Sequence, residues 1–482
     1  MADSQFTFSN LINGVLRPGA SVTQGINPSD RKPLWDVPLA SRQDLEDAVA
    51  AAKDAFPAWK KTTWAERSRI VSAIRDVLLE NSEQMATLLT KEVGKPIEFA
   101  RIEVDHSSNF LQFNAGLPEP EEKITLDDET LRLSIRQQPV GVVVAICPWN
   151  FPLVLAVAKI AAALITGNCI ILKPSPFTPY SVLKFAELTN HLLPKGVLQV
   201  LHGDANLGPW MCSHPGVDKI TFTGSTATGK KIMVNAAETL KTITLELGGN
   251  SASIVCGDVN PKIVAPQVAM GAFFNSGQYC LASKRIYVHE SIYDEFLAEI
   301  VSTVKGWKVG PTSDLEEGIM LGPVQNEMQY GIVHSFFSEA VDNGFKFALG
   351  GPIPKAEDVK NFIVPPAIID NPPDESLVVK GEAFGPILPI LKWSTEDEVL
   401  KRVNDTQTGL GGTVWSSDLV RARAIAERVE SGTIWINSFE KPLPHAHLNG
   451  HKESGVGGEW GAEGLGSYLK PQVIHSYKAS PV

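Results

Sequence analysis

The hydrophobic pattern of the chain changes period near residue 140. Before that point apolar positions recur at helical spacing. DAVAAAKDAF follows Ser41–Asp44, and RSRIVSAIRDVLLENSEQMATLLTKEVGK follows Thr63–Glu66; both openings have the spacing of a capping box. A short hairpin region and then a helical arm ending near Gly94 and Pro96 are predicted. After residue 140, β-branched runs alternate with helical stretches: VGVVVAI, PLVLAVAKIAAALI, NCIILKP, YSVLKFAELTNHLL, VLQVLHG, KITFTG, ATGKKIMVNAAE, TITLEL and SASIVC. A second series runs from KRIYVH through FKFALG and GTVWS to GTIWIN. Such strand and helix alternation predicts two α/β domains built on parallel sheets with helices on both faces. Between the arm and the first series, Ile124–Pro139 alternates polar and apolar residues and predicts a β excursion. No repeat of fixed period and no low-complexity linker breaks the pattern.

Composition narrows the function classes. A chain of 482 residues exceeds one ordinary core and predicts two or three domains. A net charge of −11, spread thinly, opposes attraction to nucleic acid. The longest apolar stretch, Phe151–Ile165, is interrupted by Lys159 and falls short of the roughly 20 residues a membrane span takes. Five cysteines (Cys147, Cys169, Cys212, Cys256 and Cys280) show no ligand or CxxC spacing, so neither a disulfide framework nor a metal site is expected. Neither MADSQFTFSN nor YKASPV reads as a targeting signal, and a reducing, cytoplasmic setting is expected, without membrane or nucleic-acid partners.

A few short segments carry candidate chemistry, each with a bland alternative. In FFNSGQYCLAS, Cys280 is either a small buried hydrophobe or a nucleophile. In ICPWNFPL, two prolines fix a bend after a buried strand, where α/β proteins place ligands; Asn150 there either caps the next helix or donates to an oxyanion. In LELGGN, Glu246 ends an apolar strand and is either a capping carboxylate or a general base. FTGSTATGKK has GxxxxG spacing, neither GxGxxG nor a P-loop, though Gly224, Ser225 and the helix start can hold a pyrophosphate. Lys173 in ILKPSPFTP is a snorkelling lysine or a cation aimed at the same sheet edge.

Taken in order, PWNFP, KPS, FTGST, LELGG, the GQxC segment, GEAFGP (381–386) and GHKESGVGGEWG (450–461) strongly resemble the aldehyde dehydrogenase superfamily over nearly the whole chain. The resemblance implies two Rossmann-like parallel-sheet domains plus a small β oligomerisation element. Residues 1–119 and 140–247 would form the dinucleotide-binding domain, with 446–465 returning to it. Residues 248–445 would form the catalytic domain, and 120–139 with 466–482 the oligomerisation element of a homodimer or homotetramer.

The same resemblance implies roles for single residues. Cys280 is the nucleophile, Asn150 and the Cys280 backbone N–H form the oxyanion hole, and Glu246 is the general base. Lys159 and Glu459 match a proton-relay pair; a helix-surface lysine and a capping glutamate are the alternatives. Lys173 binds the adenosine ribose, Ser225 the pyrophosphate and Glu382 the nicotinamide ribose, with Trp149 near the adenosine side and Phe384 beside the nicotinamide. Ile146, Ser175, Gly224 and Leu247 complete the cofactor set, and Phe151, Tyr279, Leu281, His447 and Leu448 the pocket for a small-molecule aldehyde. The implied reaction is NAD(P)+-dependent oxidation of an aldehyde to its acid through a thiohemiacetal and a thioester. Rivals are a CoA-acylating dehydrogenase, a silent family member used as a scaffold, and a cysteine esterase; the first usually lacks the Glu246 carboxylate.

Three departures bear on specificity. Pro176 stands where many NAD-preferring relatives carry glutamate, so NAD is expected first, with NADP or dual use open. HAHLNGHKESG replaces the usual PFGG segment, bringing His445, His447 and Leu448 to the tunnel side. Ala158 replaces a large aromatic, which predicts a wider or differently shaped pocket, while Tyr279 and Leu281 can narrow access again.

Overall fold

The structure is a computed structural model that describes residues 6–478. Residues 1–5 and 479–482, the outer ends of the terminal stretches read above, lie outside the described residues. The opening forms two antiparallel hairpins, Asn10–Ile12 with Val15–Arg17 and Ser21–Ile26 with Pro33–Leu39. The arm follows as α1 (Arg42–Trp59), α2 (Trp64–Glu80), α3 (Ser82–Val93) and α4 (Ile97–Gly116). Both capping boxes form: Ser41 Oγ accepts the Asp44 N–H and Thr63 Oγ1 accepts the Glu66 N–H, while each acid returns to the cap backbone.

The arm does not stop at Pro96. Gly94 ends α3 in the left-handed region at φ +84°, and Pro96 then opens the 20-residue α4. A proline that cannot continue one helix is well suited to begin the next, which is why the stop signal also marks a start. A side chain at Gly94 would also meet the rings of Pro28 and Pro323, each 2.6 Å from its Cβ position.

The first sheet has eight strands in the order Val15–Arg17, Asn10–Ile12, Leu198–Val200, Cys169–Lys173, Val142–Ile146, Lys219–Thr223, Thr242–Glu246 and Gly455–Val456. The central strands run parallel, and the late strand Gly455–Val456 adds antiparallel to the edge beside Glu246. The second sheet has seven strands in the order Phe347–Leu349, Ala367–Asp370, Ile387–Trp393, Ser283–His289, Ser251–Val255, Gly411–Trp415 and Thr433–Ile436. SASIV thus belongs to the second sheet, not to the first series in which its pattern placed it. Period alone identifies a strand but not its neighbours, and here Gly248 and Gly249 carry the chain from one sheet to the other.

Lys123–Asp127, Leu131–Pro139 and Leu469–Tyr477 make a separate three-stranded antiparallel sheet, with register from Leu469 opposite Pro139 to Tyr477 opposite Leu131. One apolar core joins the arm to the first sheet, and two others cover the faces of the second. Among the described residues no helix is long and apolar enough to cross a membrane.

Candidate active site

Ile146, Lys173, Thr223 and Glu246 end neighbouring parallel strands at one edge of the first sheet. Open α/β sheets present ligand sites at that edge. After Ile146 the chain bends through PWNFP into α5 (Pro152–Ile165), with Pro152 in its first turn. The helix cap is Phe151 and it makes no side-chain cap bond, so Asn150 is not a capping amide. Asn150 is buried, and its Nδ2 donates at 3.0 Å to the carbonyl of Gln278, two residues before Cys280. One amide hydrogen remains free for another acceptor.

Cys280 arrives from the second sheet. Its loop is a tight buried turn in which Asn275 and Ser276 both take left-handed backbone, at φ +51° and +57°. Strain of this kind persists only where the surroundings hold it. Here Gln278 Oε1 accepts the Gln325 N–H at 2.8 Å, and Lys284 Nζ grips the carbonyls of Tyr279 and Cys280 at 3.0 and 2.9 Å. Cys147, Cys169, Cys212 and Cys256 are buried, whereas Cys280 is partly exposed on the wall of a cavity of about 320 Å³. That wall also holds Asn150, Glu246, Phe151, Tyr279, Leu281 and Leu448.

Burial pushes the Cys280 thiol up to about 12; Lys284 opposes the shift and Glu382 and Glu246 add to it. The thiolate is the reactive form, so the resting enzyme is poor in it at neutral pH. The expected result is an alkylation rate by iodoacetamide, in cofactor-free enzyme, that climbs about tenfold per pH unit and is still climbing at about pH 10. A plateau below about pH 8 would contradict a desolvated resting thiol.

Glu246 is 4% exposed, and among the described residues neither of its carboxylate oxygens has a hydrogen-bond partner. Burial, and then the charge of Glu459, holds it well above the usual carboxylate range against the pull of Lys159. A carboxylate so desolvated is a strong base once ionised. Lys159 is no surface lysine and Glu459 no cap: both are buried, and Lys159 Nζ contacts both Glu459 oxygens at 2.6 Å and Thr221 Oγ1 at 2.9 Å. Leu448 pairs with Glu459 through two backbone bonds of 2.8 and 2.9 Å, which fixes that carboxylate beside the sheet.

The cofactor candidates line the same edge. Lys173 is buried, which lowers it to about 8, and its Nζ makes only a long 3.3 Å bond to the Pro174 carbonyl, with no ion pair among the described residues. Ser175 is buried beside it. Ser225 caps the helix Thr226–Ala237 by accepting the Thr228 N–H, and the Gly224 N–H donates to the Glu246 carbonyl at 3.0 Å. A Cβ at Gly224 would fall 2.4 Å from the Phe222 ring. Leu247 packs under that helix against Gly229. Glu382 accepts the Gly249 N–H at 3.3 Å and pairs with Lys284 at 3.2 Å, which ties it to the cysteine loop. A buried cation short of partners, a capped helix start and a carboxylate beside the nucleophile fit the hydroxyls and pyrophosphate of a nicotinamide dinucleotide.

Some expectations change. Trp149, expected near the adenosine side, has its ring edge-on to Phe384 at 5.4 Å. His447 is not on the cavity wall: it is half-buried, with Nδ1 3.3 Å from the Trp460 carbonyl. His445 packs on Phe113 instead. Ala158 does not widen the main cavity, because Phe110 and Trp460 cluster over it. Lys284, Phe274, Trp460 and Glu440 were missed. Trp460 follows Glu459 directly in GEWG, a usable signal. Nothing in SFEKPL marks Glu440 as buried, yet burial raises it to about 7 and Ser283 donates to it.

Two largely parallel sheets, with a cysteine, an amide and a desolvated carboxylate on one cavity wall, make an α/β architecture suited to a cysteine-dependent oxidoreductase. The model of the aldehyde dehydrogenase family matches residues 17–474. FUS7 of Gibberella fujikuroi is 43% identical over 472 residues, covering 98% of this chain and 99% of its own. The aldehyde dehydrogenase LUC3 of a Fusarium species is 40% identical, with the same shares covered. The crystal structure of betaine aldehyde dehydrogenase from Staphylococcus aureus in complex with NAD+ aligns with a TM-score of 0.93 at 33% identity, covering 98% of this chain and 95% of that one. The chain belongs to the aldehyde dehydrogenase family. It is an NAD(P)-dependent enzyme that oxidises an aldehyde to a carboxylic acid.

Proposed function

We propose that Cys280, Asn150, Glu246, Lys159 and Glu459 carry out this oxidation on an aldehyde with an apolar body. The Cys280 thiol gives up its proton to solvent water and its sulfur attacks the carbonyl carbon; the Asn150 amide and the Cys280 backbone N–H stabilise the oxyanion, whose collapse breaks the C–H bond, releases hydride and leaves a thioester on Cys280. Bound nicotinamide supplies the hydride acceptor, held by Glu382, Phe384 and Trp149, with Lys173, Ser175, Gly224, Ser225, Ile146 and Leu247 on the remainder of the dinucleotide. Glu246 then takes a proton from water, whose oxygen attacks the thioester carbon and releases the Cys280 thiolate. The buried Lys159–Glu459 pair receives the proton. The observation that supports this best is one cavity walled by Cys280, Asn150 and Glu246 together.

Aromatic walls from Phe110, Phe151, Phe274, Tyr279 and Trp460 favour an apolar substrate body. A panel of aldehydes followed at 340 nm against both cofactors tests this; acids as products without added CoA are expected, and thioester products would overturn the hydrolytic scheme. For the cofactor we propose NAD with NADP tolerated, since Pro176 supplies no negative charge against a 2′-phosphate. Pro176→Glu is expected to lower kcat/KM with NADP+ about tenfold or more and to spare NAD+. Equal effects on both cofactors would contradict that placement.

We also propose the domain division given above, with residues 120–139 and the C-terminal strand as the contact between copies in a homodimer or homotetramer. The three-stranded sheet leaves Ile124, Leu126, Val473 and Tyr477 exposed, which suits burial against a second chain. A cytoplasmic setting is proposed from the five unpaired cysteines.

A further inference from the structure

The bend that carries Asn150 hangs on an ion pair that the chemistry above leaves unused. Lys95 lies in the turn between α3 and α4, and Glu103 in the second turn of α4. Their side chains are fully buried and bonded to each other. Lys95 Nζ also donates to the Asn150 carbonyl at 3.0 Å and lies 4.0 Å from the centre of the Phe151 ring. Glu103 Oε1 accepts the N–H groups of Leu153 and Val154 at 3.0 and 3.2 Å, amides that the first turn of α5 cannot satisfy itself. Asn275 Nδ2 shares the Asn150 carbonyl at 3.1 Å, joining the bend to the cysteine loop.

One pair from the helical arm therefore holds residues 150–154 at both ends. Stability alone does not require charges at such a place, because apolar groups of similar volume commonly do as well or better. An apolar pair cannot bind a carbonyl on one side and two amides on the other. The Asn150 amide already spends one hydrogen on Gln278, so the direction of the second is set by the backbone that Lys95 and Glu103 hold. Oxyanion donors act at about 2.7–3.1 Å from the oxyanion, and a misplacement of about 1 Å can cost about a hundredfold.

We propose that Lys95 and Glu103 are positioning residues for aldehyde oxidation, fixing the Asn150 backbone so that its free amide hydrogen meets the developing oxyanion. The inference rests on the oxyanion role proposed for Asn150. A double-mutant cycle on the full-length enzyme tests it, with hexanal as the probe aldehyde and kcat, KM and Tm measured for each protein. The Lys95→Met, Glu103→Leu double variant is expected to stay folded with a lowered Tm, because the Leu153 and Val154 amides lose their acceptor, to keep its KM for NAD+, and to lose about tenfold to a hundredfold in kcat. Asn150→Ala alone is expected to lose about a hundredfold to a thousandfold. The triple variant should fall within about twofold of Asn150→Ala, because the pair acts through a donor already removed. Losses that multiply, or a double variant with parental kcat, would overturn the inference. Should the double variant not fold, Glu103→Gln enters the same cycle with the same two outcomes; it keeps an acceptor for the Leu153 and Val154 amides but strips Lys95 of its counter-charge. Parental kcat in Asn150→Ala would instead overturn the oxyanion reading and the inference with it.

Discussion

Cys280→Ala is expected to lower aldehyde-dependent NAD(P)H formation by about 10,000-fold or more while cofactor binding and fold survive. The size of the effect follows from the site. Cys280 is the one cysteine partly exposed on the cavity, and the other four lie buried in the cores. Alanine deletes the nucleophile and little volume, so the stability change should stay within about 1 kcal/mol. The Lys284 bonds that shape the loop reach the carbonyls of Tyr279 and Cys280, not the sulfur, and are untouched by the change. Turnover is read at 340 nm and cofactor affinity by fluorescence titration. Aldehyde-dependent turnover that persists in a folded Cys280→Ala enzyme with intact cofactor binding would end the assignment.

Glu246→Gln should divide the reaction at its midpoint. The carboxylate is buried, both oxygens lack partners among the described residues, and burial with Glu459 holds it above its ordinary range. Glutamine fills the space but cannot take a proton from water, so hydrolysis of the thioester should slow about 100-fold to 10,000-fold. Hydride removal does not need the base to the same degree. The expected record is a burst of reduced cofactor equal to the enzyme present, followed by near arrest, with an acyl adduct on Cys280 in the intact mass. Steady turnover without a burst would move the water-activating role elsewhere, with Glu459, whose charge bears on Glu246, the next carboxylate to test. The pH sign is fixed by the direction of the shift. A base held above its usual range is ionised only as pH rises, so hydrolysis should gain, not lose, as pH climbs above the ordinary carboxylate range.

Much of the fold was legible because its elements are locally coded. The Ser41 and Thr63 capping boxes, the β-branched runs and the alternating Ile124–Pro139 segment each report a short-range preference, and each forms. Two departures from the local pattern have the same origin. Pro96, a stop by its local pattern, is the start of α4; SASIV, which its strand period groups with the first series, pairs in the second sheet, on the side where the domain bound at 248 puts it. A local pattern names the element but not its partner.

The candidate site divides along the same line. Chain chemistry placed a cysteine, an amide and a carboxylate at turns after strands, and motif order tied them to one family. Position in three dimensions decided the rest. Lys159 and Glu459, far apart in sequence, are a buried pair because a strand of the late segment returns to the edge beside Glu246. His447 left the pocket and Trp460 entered it by the same return. Lys95 and Glu103 carry no sequence signal, since a lysine in a turn and a glutamate on a helix ordinarily face water. Side-chain identity and spacing determined which groups this protein has for its chemistry. Only the packing of distant segments, which sets burial and therefore the strength of every charge, decided which of them act on one another.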